Sequence, residues 1–516
     1  TGGVALAGNG GSLASSDGVT LWLILTGCLA FLVPVGLTLL ASGAASEDKA
    51  ADVALTSLAA IGLGVLGYFA CGFAFQFGGI GLFSELSGVE DLIWEWSFLD
   101  VRWGPGWGMV GLKGFFLGKE ADNPAAYALF FSQLALVTTA VLIPALSLRG
   151  RVKAVVIVLG ALLLSAVVYP ILGNWVWGGG WLANLGSNMD LGHGFIDFAG
   201  AGLVNLVGGT AALAGILVFK LRRPKEERPS PEAVSPLSAR DLSIPPSERE
   251  AAEMPPVHLP LLAILGSLLL VVGWLGWTLA SPLNALTDVN IEPAVIAVNL
   301  FLAAAGGTLV ATLYSWFTAG RADVLMVTRG LAIGLVSISA AVPFVPPWAA
   351  LLTGAVAGLF LPLSIYLLDY LLRLDDPTAA VSVHGLGGLL GLFVLGLFAD
   401  GRYGVGWNGI GATEYLGVLG QGVSGYFTAQ GFQPDLPGQL YAQLIGLAAI
   451  FVPAFVLTGL LFLVLRGLIQ AWEGTGLELG RAPKPKVVAS EEASEEGEKE
   501  EEKGEGEETP AEVSDA

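Results

Sequence analysis

The chain contains 516 residues, of which 54% are hydrophobic and 13% charged. Because a soluble domain carries about 25% charged residues, this composition excludes a soluble protein and indicates a polytopic membrane protein. The formal net charge of -20 identifies no basic or acidic partner, because more than half of it belongs to a Glu-rich stretch from Glu491 to Asp515.

Apolar runs of about 20 residues predict the membrane-spanning helices. Eleven are predicted, at residues 20–42, 53–78, 125–147, 153–173, 195–221, 258–280, 291–318, 325–343, 347–372, 377–399 and 439–470. The eighth and ninth are separated by the break P-F-V-P-P at Pro343–Pro347. The predicted fold class is therefore an all-α membrane protein with eleven transmembrane helices.

The stretches outside these helices have a different composition. Residues 1–19 predict a polar outer segment, and because the chain starts at Thr1 we expect that a signal peptide or a tag was removed. Residues 79–123 are rich in Trp and Gly and predict an outer segment with a short interfacial helix and a re-entrant cap. Residues 222–257 predict a cytoplasmic linker, residues 400–438 an outer loop, and residues 473–516 an acidic, disordered cytoplasmic tail.

Basic residues in the short loops predict the orientation, because Lys and Arg favour the cytoplasmic side. They follow the odd-numbered helices at Arg149, Arg151, Lys153, Lys220, Arg222, Arg223, Lys225, Arg321, Arg373 and Arg466. The short loops after the fourth, sixth and eighth helices contain no Lys or Arg. The N-terminus is therefore predicted outside and the C-terminus inside.

Two polar motifs occur at matching places in the chain. The first is D-F-A-G-A-G-L-V-N-L-V-G-G at Asp197–Gly209, and the second is D-P-T-A-A-V-S-V-H-G-L-G-G at Asp376–Gly388. In each, a polar residue lies eight positions after the Asp (Asn205 and His384), and a Gly pair follows. A polar residue within a membrane span is expensive to bury and is a functional-site hypothesis by default.

The two motifs lie on the fifth helix of each half of the chain, at residues 20–221 and 258–399. Because five is an odd number, the second half has the opposite orientation, which predicts an inverted repeat of five plus five helices with an eleventh added. Such repeats place their binding site near the membrane midplane. We therefore expect Asn205 and His384 to meet there.

From residue 17 to about residue 480 the sequence resembles the ammonium transporter family (Amt/Mep/Rh). The motifs that carry the resemblance are W-V-W-G-G-G-W-L at Trp175–Leu182, D-F-A-G at Asp197–Gly200, G-W-L-G-W-T-L-A-S at Gly273–Ser281, R-L-D-D-P at Arg373–Pro377 and V-H-G at Val383–Gly385. The resemblance implies a homotrimer with a narrow apolar pore in each protomer. It also implies an outer recruitment site for ammonium, a gate of stacked aromatic rings, and two hydrogen-bonded pore histidines.

The matching positions assign the outer residues by resemblance. Trp177 and Ser281 correspond to the Trp and Ser of the recruitment site. Trp277 takes the place of one gating Phe and adjoins the recruitment site. Phe130 and Leu134 face the other gate positions, with Leu134 replacing a Phe. A Trp face can attract a cation by a cation-π interaction, although a Trp at the membrane interface can also serve only as an anchor.

The inner residues follow the family less closely. Asp197 matches the family's structural Asp and His384 its second pore His. Asn205 replaces the first pore His, and Ala379 replaces an Asp. The first-helix signature of the family is altered to G-L-T-L-L-A-S-G at Gly36–Gly43.

An Asn–His pair has different chemistry from a His–His pair. Both side chains donate and accept hydrogen bonds, but the Asn amide does not titrate, so the pair can orient neutral ammonia and cannot relay a proton. The alternative is that Asn205 and His384 only join two packed helices. Asp197 lies at the start of the fifth predicted helix and Asp376 precedes the tenth, where a carboxylate caps free N–H groups. His193 and His258 lie at helix ends and are expected to be solvated.

Several functions are excluded by what the sequence lacks. It contains no phosphate-binding loop, no Cys/His spacing typical of a metal site and no Ser/His/Asp set, so neither an enzyme nor a cofactor or metal site is expected. It has no basic patch for nucleic acid. The leading hypothesis is an ammonium or ammonia channel in the cell membrane. The alternatives are a non-conducting ammonium sensor or structural subunit of a membrane complex, and a channel for another small neutral solute. A cytoplasmic regulatory protein is a possible partner at the inner loops or tail.

Overall fold

The structure, a computed structural model, describes residues 16–84, 86–100, 106–223, 258–281 and 290–474. Most of the predicted N-terminal segment, nearly all of the predicted linker and the tail after residue 474 lie outside these described residues. Within them, eleven apolar helices run in chain order: α1 Gly18–Gly43, α2 Glu47–Leu82, α3 Pro124–Leu148, α4 Ala154–Trp177, α5 Ala201–Val218, α6 His258–Leu279, α7 Pro293–Ala319, α8 Val324–Ile338, α9 Pro347–Leu371, α10 Val381–Phe398 and α11 Gly438–Trp472.

The lengths of these helices fit a membrane protein. Among the described residues, 10 helices are long and apolar enough to span a bilayer, with lengths from 18 to 36 residues, whereas α8 belongs to a shorter class of apolar helices. The prediction of a helical polytopic membrane protein is confirmed.

Local sequence explains where several helices begin. Pro124 occupies the first turn of α3, where its missing N–H costs nothing, and the Asn123 side chain accepts a hydrogen bond from the N–H of Ala126 at 3.0 Å. The Asp323 carboxylate caps α8 in the same way, accepting from the N–H of Met326 at 2.7 Å.

Two helices are shorter than predicted for one shared reason. α5 starts at Ala201 rather than residue 195, and α8 ends at Ile338 rather than residue 343. The segments outside them are not helical because they bond to each other: the N–H of Phe198 donates to the carbonyl of Ala340 at 3.3 Å, and that of Ala199 to Ser339 at 3.1 Å. Tertiary pairing therefore shortens both helices where the apolar pattern continues.

The segments predicted to lie outside form small hairpins. β1 (Glu95–Trp96) pairs antiparallel with β2 (Val110–Gly111), and β3 (Glu414–Tyr415) pairs antiparallel with β4 (Val418–Leu419). In the described part of residues 79–123, the remaining regular structure is single 3-10 turns at Ile80–Leu82, Phe115–Leu117 and Lys119–Ala121, and Asp100 is helical. Residues 101–105 lie outside the described residues, so the predicted interfacial helix stays a prediction. The two hairpins make the fold mostly rather than purely α-helical.

Burial identifies the central helices. In their most apolar 18 residues, α3 is 94% buried and α5 is 83% buried, whereas α11 is 22% buried. The side chains of α11 are therefore mostly available to lipid or to another copy, and the site lies around α3, α5 and α10.

Candidate functional site

The first turn of α5 is held open by a buried carboxylate. The Oδ2 atom of Asp197 accepts hydrogen bonds from the N–H groups of Gly202 at 2.9 Å and Leu203 at 2.7 Å. The helix then begins as a π-helix over Ala201–Leu206, a wide turn that is often found at functional sites. Gly200 precedes it with φ of 79°, a left-handed conformation that glycine adopts without strain.

The first turn of α10 is built in the same way. Asp376 accepts from the N–H of Val381 through Oδ2 at 2.8 Å, and its Oδ1 accepts from the hydroxyl of Ser147 at 3.2 Å. A π-helix follows over Val381–Leu386. The two motifs found in the sequence therefore share an Asp cap, a π-helical start and a polar residue within it.

Asn205 and His384, the polar residues of these two π-helices, contact each other. The Nδ1 atom of His384 lies 2.8 Å from the Oδ1 atom of Asn205. Both side chains are buried. The structure brings together the two residues that the sequence placed at matching positions.

A second hydrogen bond fixes the direction of the first. The Nδ2 group of Asn205 donates to the carbonyl of Gly200 at 2.9 Å, so its Oδ1 faces His384 and can only accept. His384 must then carry its proton on Nδ1, which leaves a lone pair on Nε2. The pair therefore presents one acceptor atom, Nε2 of His384. It contains no second imidazole that could exchange a proton with His384.

The helices that carry the pair cross at very close range. A Cβ atom added to Gly209 on α5 would overlap the backbone nitrogen of Gly385 and lie 2.7 Å from its Cα atom. Only a glycine fits such a backbone-to-backbone approach, as at other close helix crossings in membranes. The Gly pair that follows Asn205 therefore sets the distance at which Asn205 and His384 meet.

Three of the predicted outer residues converge on one extended segment, residues 197–199. Trp177 donates its indole N–H to the carbonyl of Asp197 at 2.8 Å, the Ser281 hydroxyl donates to Phe198 at 2.6 Å, and Trp277 donates to Ala199 at 2.8 Å. Each of the three side chains is at most 1% exposed. Three successive carbonyl groups next to the pore helix are thus held by three side-chain donors.

The predicted gate residues fall into two clusters. The ring of Trp277 stacks on Trp274 at 5.1 Å with parallel planes, and Trp274 donates its N–H to the hydroxyl of Ser339 at 2.8 Å. Phe130 instead stacks on Tyr68 at 5.5 Å and contacts two further rings of α2. Leu134, one turn along α3 from Phe130, is buried at 8% exposure.

An aromatic cluster beside the extended segment was missed in the sequence. Phe198, Phe344 and Trp407 are all buried, and their ring centroids lie 5.2 to 6.1 Å apart. Phe344 belongs to the Pro-rich break after α8, and Trp407 to the loop after α10. The residues are far apart in sequence, so no periodicity could have connected them.

Comparison with known proteins identifies the family of the chain. The sequence profile described as the Ammonium Transporter Family matches residues 21–244 and 237–472. The chain belongs to the ammonium transporter family. It is 32% identical over 414 residues to ammonium transporter Amt2 of Archaeoglobus fulgidus, covering 79% of this chain and 77% of that protein. It is 27% identical over 423 residues to ammonium transporter 1 member 3 of Solanum lycopersicum, covering 80% and 82%.

Solved structures show the same fold. A protein called Sensor Amt Protein matches with a TM-score of 0.65 and 25% identity, covering 88% of this chain and 94% of that chain. Mep2 of Candida albicans matches with a TM-score of 0.63 and 22% identity, covering 90% and 86%. The predicted family is confirmed, and the chain is a multi-pass membrane protein.

In this member of the ammonium transporter family, His384 lines a cavity whose described lining does not include the extended segment. Apolar residues of α1, α3, α8 and α10 form most of its wall. The described residues that line it are Leu37, Leu40, Ala41, Ile143, Leu146, Arg329, Ala332, Thr378, Ala380, Val383 and His384. The imidazole is thus reached from a mostly apolar space that contains one guanidinium group.

His193 does not lie where the sequence placed it. The prediction that it is solvated was wrong, because it is 0% exposed and its ring lies 4.4 Å from the ring of Tyr415. The loop after α10 folds over it, and Asn408 donates to its carbonyl at 2.8 Å. Burial lowers the pKa of His193 to about 4. His258, at the start of α6, is exposed as predicted.

The segment between α2 and α3 also contains a buried acid. The Oε1 atom of Glu95 on β1 is buried and has no hydrogen-bond partner in the described part of the chain. Burial raises the pKa of Glu95 to about 7, while the neighbouring side chain of Asn174 lowers it in part. Among the described residues, no group of three His, Cys, Asp or Glu side chains could hold a metal ion.

Proposed function

We propose that this protein passes ammonium or ammonia across the cell membrane through a narrow pore in each protomer. The observation that carries the proposal is the buried hydrogen bond between His384 and Asn205, with His384 also lining a cavity. A buried polar pair within apolar helices needs a use for its remaining hydrogen-bonding atoms. Membership of the ammonium transporter family supplies the substrate.

The outer residues Trp177, Trp277 and Ser281 form the proposed recruitment site. Their hydrogen bonds to the extended segment do not remove this capacity, because an indole that donates its N–H keeps its π face for a cation. The Ser281 hydroxyl donates to a carbonyl, so its lone pairs remain free to accept from an ammonium N–H. Phe130, Leu134 and Trp277 are proposed as the gate between this site and the pair, and Asp197 as the structural acid.

The pair itself favours passage of the neutral species. Asn205 holds the proton of His384 on Nδ1 and cannot take it up, so a proton cannot pass from one side chain to the other. The lone pair on Nε2 can accept a hydrogen bond from an N–H of ammonia. We therefore assign the pair to orienting neutral ammonia.

The number of spans, their orientation and the internal repeat are part of the same proposal. The protein is proposed to have eleven spans, with the N-terminus outside and the C-terminus inside, in an inverted repeat of residues 20–221 and 258–399. The matching starts of α5 and α10 support the repeat. Residues 222–257 would then be a cytoplasmic linker, residues 400–438 an outer loop, residues 439–472 the eleventh helix and residues 473–516 a cytoplasmic tail. The sparse burial of α11 supports a homotrimer, and the inner loops or tail would bind any regulatory protein.

A second candidate function is ammonium sensing without conduction. It is favoured by the buried cluster of Phe198, Phe344 and Trp407 beside the proposed recruitment site, and by the likeness to Sensor Amt Protein. A closed aromatic cluster blocks a path unless it moves. Binding without passage would then be the function of the same site.

Reconstitution in liposomes separates the two functions. An inward ammonium gradient should change the luminal pH faster in proteoliposomes than in empty liposomes, and a membrane current should be recorded in parallel. Faster change supports transport. Binding of ammonium to the purified protein without any flux above empty liposomes would overturn transport and support sensing.

A further inference from the structure

Arg329 on α8 carries the charge in the cavity below the pore pair. Of the described residues that line this cavity together with His384, Arg329 alone is charged, and most of the others are aliphatic. A wall of this kind has a low dielectric constant, so a fixed charge acts on anything inside it more strongly than it would in water. Among the described residues that line the cavity, the single formal charge is therefore positive, and it shares the wall with the imidazole of His384.

The positive charge of Arg329 is not neutralised by a direct ion pair in the described part of the chain. Neighbouring arginines do have such pairs: Arg151 lies 2.6 Å from Asp375, and Arg223 lies 2.8 Å from Asp369. Arg329 instead donates through Nη2 to the backbone carbonyl of Pro377 at 2.6 Å.

Asp376 interacts electrostatically with Arg329 but is not among the described residues that line the cavity. Its carboxylate is 4% exposed, caps α10 and accepts from Ser147, and it does not line the cavity. Asp323, Asp369 and Arg223 also act on the guanidinium, from outside the lining set. Among the described residues, the guanidinium is thus the charged group that lines the cavity, and these carboxylates do not line it.

A free donor on the same side chain adds a chemical distinction. The Nε–H group of Arg329 is buried and has no hydrogen-bond partner among the described residues. Neutral ammonia has a lone pair that can accept a hydrogen bond from such a group, whereas ammonium has none and is repelled by the charge. Buried donors without a partner are costly, so an occupant that accepts a hydrogen bond is favoured.

We propose that Arg329 is a specificity-determining residue of the pore, which admits neutral ammonia to the cavity beyond His384 and excludes ammonium and other monovalent cations. This inference rests on the proposed transport function. It assigns the exclusion of cations to a fixed charge and a free N–H donor, in addition to the inability of Asn205 to relay a proton.

A purely structural role for Arg329 makes a different prediction, and two substitutions distinguish them. Arg329→Lys keeps the charge and can still donate to the Pro377 carbonyl. Arg329→Gln keeps a donor for that carbonyl and removes the charge. If the residue only supports the start of α10, the two variants should behave alike, and their thermal stabilities and detergent elution profiles should show any folding defect.

The test compares wild type, Arg329→Lys and Arg329→Gln in proteoliposomes under an ammonium gradient, with luminal pH and membrane current both recorded. Wild type and Arg329→Lys should give a pH change with little current. Arg329→Gln should raise the current at least tenfold relative to the pH-coupled flux, and methylammonium should give the same increase.

The outcomes separate this inference from the proposed function. If wild type conducts and the ratio of current to flux is the same in wild type and Arg329→Gln, the role of Arg329 is refuted while transport stands. If wild type gives no flux and Arg329→Gln does, Arg329 blocks ammonia as well as cations, which refutes its role in admitting ammonia. If no protein conducts, both the transport function and the role of Arg329 in it are refuted.

Discussion

The Asn205–His384 hydrogen bond shows how the identity of one residue determines the chemistry that a buried polar pair can perform. Two imidazoles at this distance could exchange a proton, whereas an amide bonded to the Gly200 carbonyl keeps its oxygen towards His384 and leaves the proton on Nδ1. The Nε2 atom of His384 can still orient a neutral molecule. Charge transfer must therefore follow another route or not occur.

Replacing Asn205 with His should add a route for protons. In Asn205→His we expect the membrane current under an ammonium gradient to rise several-fold, because a second imidazole could both accept a proton from His384 and donate one to it. If Arg329 limits cations in series with the pair, the increase should be larger in the Asn205→His, Arg329→Gln double variant. An unchanged current in a protein with normal pH-coupled flux would show that Asn205 does not lie on the path.

Glu95 should make stability depend on pH. Burial raises its pKa from 4.5 to about 7 in the folded protein, so folding favours the protonated acid. The contribution is fully present below pH 4.5 and is lost as the pH rises through 7. In Glu95→Gln, the fall in melting temperature between pH 5 and 8 should be smaller, by the equivalent of about 1 to 2 kcal/mol after allowance for partial solvent screening.

The matched control for this measurement is Glu414→Gln, which changes an exposed Glu on β3. Its melting temperature should follow the wild-type pH dependence. Equal curves for wild type and Glu95→Gln would mean that the Glu95 carboxylate is solvated in the membrane-embedded protein.

At the scale of elements, the close crossing of α5 and α10 determines whether the pair can form. In Gly209→Ala the added methyl group would overlap the backbone of Gly385, and backbone atoms cannot move aside as a flexible side chain can. Overpacking of this kind costs about 1 to 3 kcal/mol or more. We expect a lower melting temperature and a loss of ammonium flux.

Gly459→Ala on α11 is the control for this substitution. Outside its own stretch of α11, no described residue has an atom within 4 Å of a Cβ placed there, so stability and flux should match wild type. Equal melting temperatures for Gly209→Ala and Gly459→Ala would contradict the close crossing.

The bounds of a helix could be predicted where the apolar run and the capping residues in the sequence begin at the same place. The bounds of α3 were predicted to within one residue, at 125–147 against Pro124–Leu148, because an apolar run follows a capping Asn123 and a helix-starting Pro124. The start of α5 and the end of α8 could not be predicted, because they depend on hydrogen bonds between residues 198–199 and 339–340. The sequence is equally hydrophobic before and after each of these two helix ends.

The candidate site was predictable only in part, for a similar reason. Asn205 and His384 could be paired from the sequence because the same spacing from an Asp occurs twice. Arg329, Phe344 and Trp407 stand in no shared motif, and tertiary structure alone brings them to the cavity or to the extended segment. His193 was expected in solvent because helix ends usually are, but a distant loop covers it.

At the scale of the whole molecule, the short helix α8 decides the topology. Ten of the described helices are long enough to span the bilayer, whereas α8 contains only 15 residues. At a rise of about 1.5 Å per residue, that is shorter than the roughly 30 Å hydrocarbon layer. Residues 339–345 continue the chain without a helix, and all of them are buried within the protein, where non-helical backbone at membrane depth is tolerated. α8 and this segment together can therefore complete an eleventh crossing.

The number of crossings can be read from three surface positions. With the N-terminus outside, eleven crossings place Asp91, after α2, and Glu414, after α10, on the outer face and Arg321, after α7, on the inner face. If α8 does not cross, Glu414 lies on the inner face, while Asp91 remains on the outer face and Arg321 on the inner face.

All three residues are exposed and can be changed singly to Cys in a Cys28→Ser, Cys71→Ser background. A membrane-impermeant thiol reagent applied to intact cells should label Asp91→Cys and Glu414→Cys, and should label Arg321→Cys only after permeabilisation. Labelling of Glu414→Cys only after permeabilisation would reduce the protein to ten crossings. That result would also refute the inverted repeat, because α5 and α10 would then cross in the same direction.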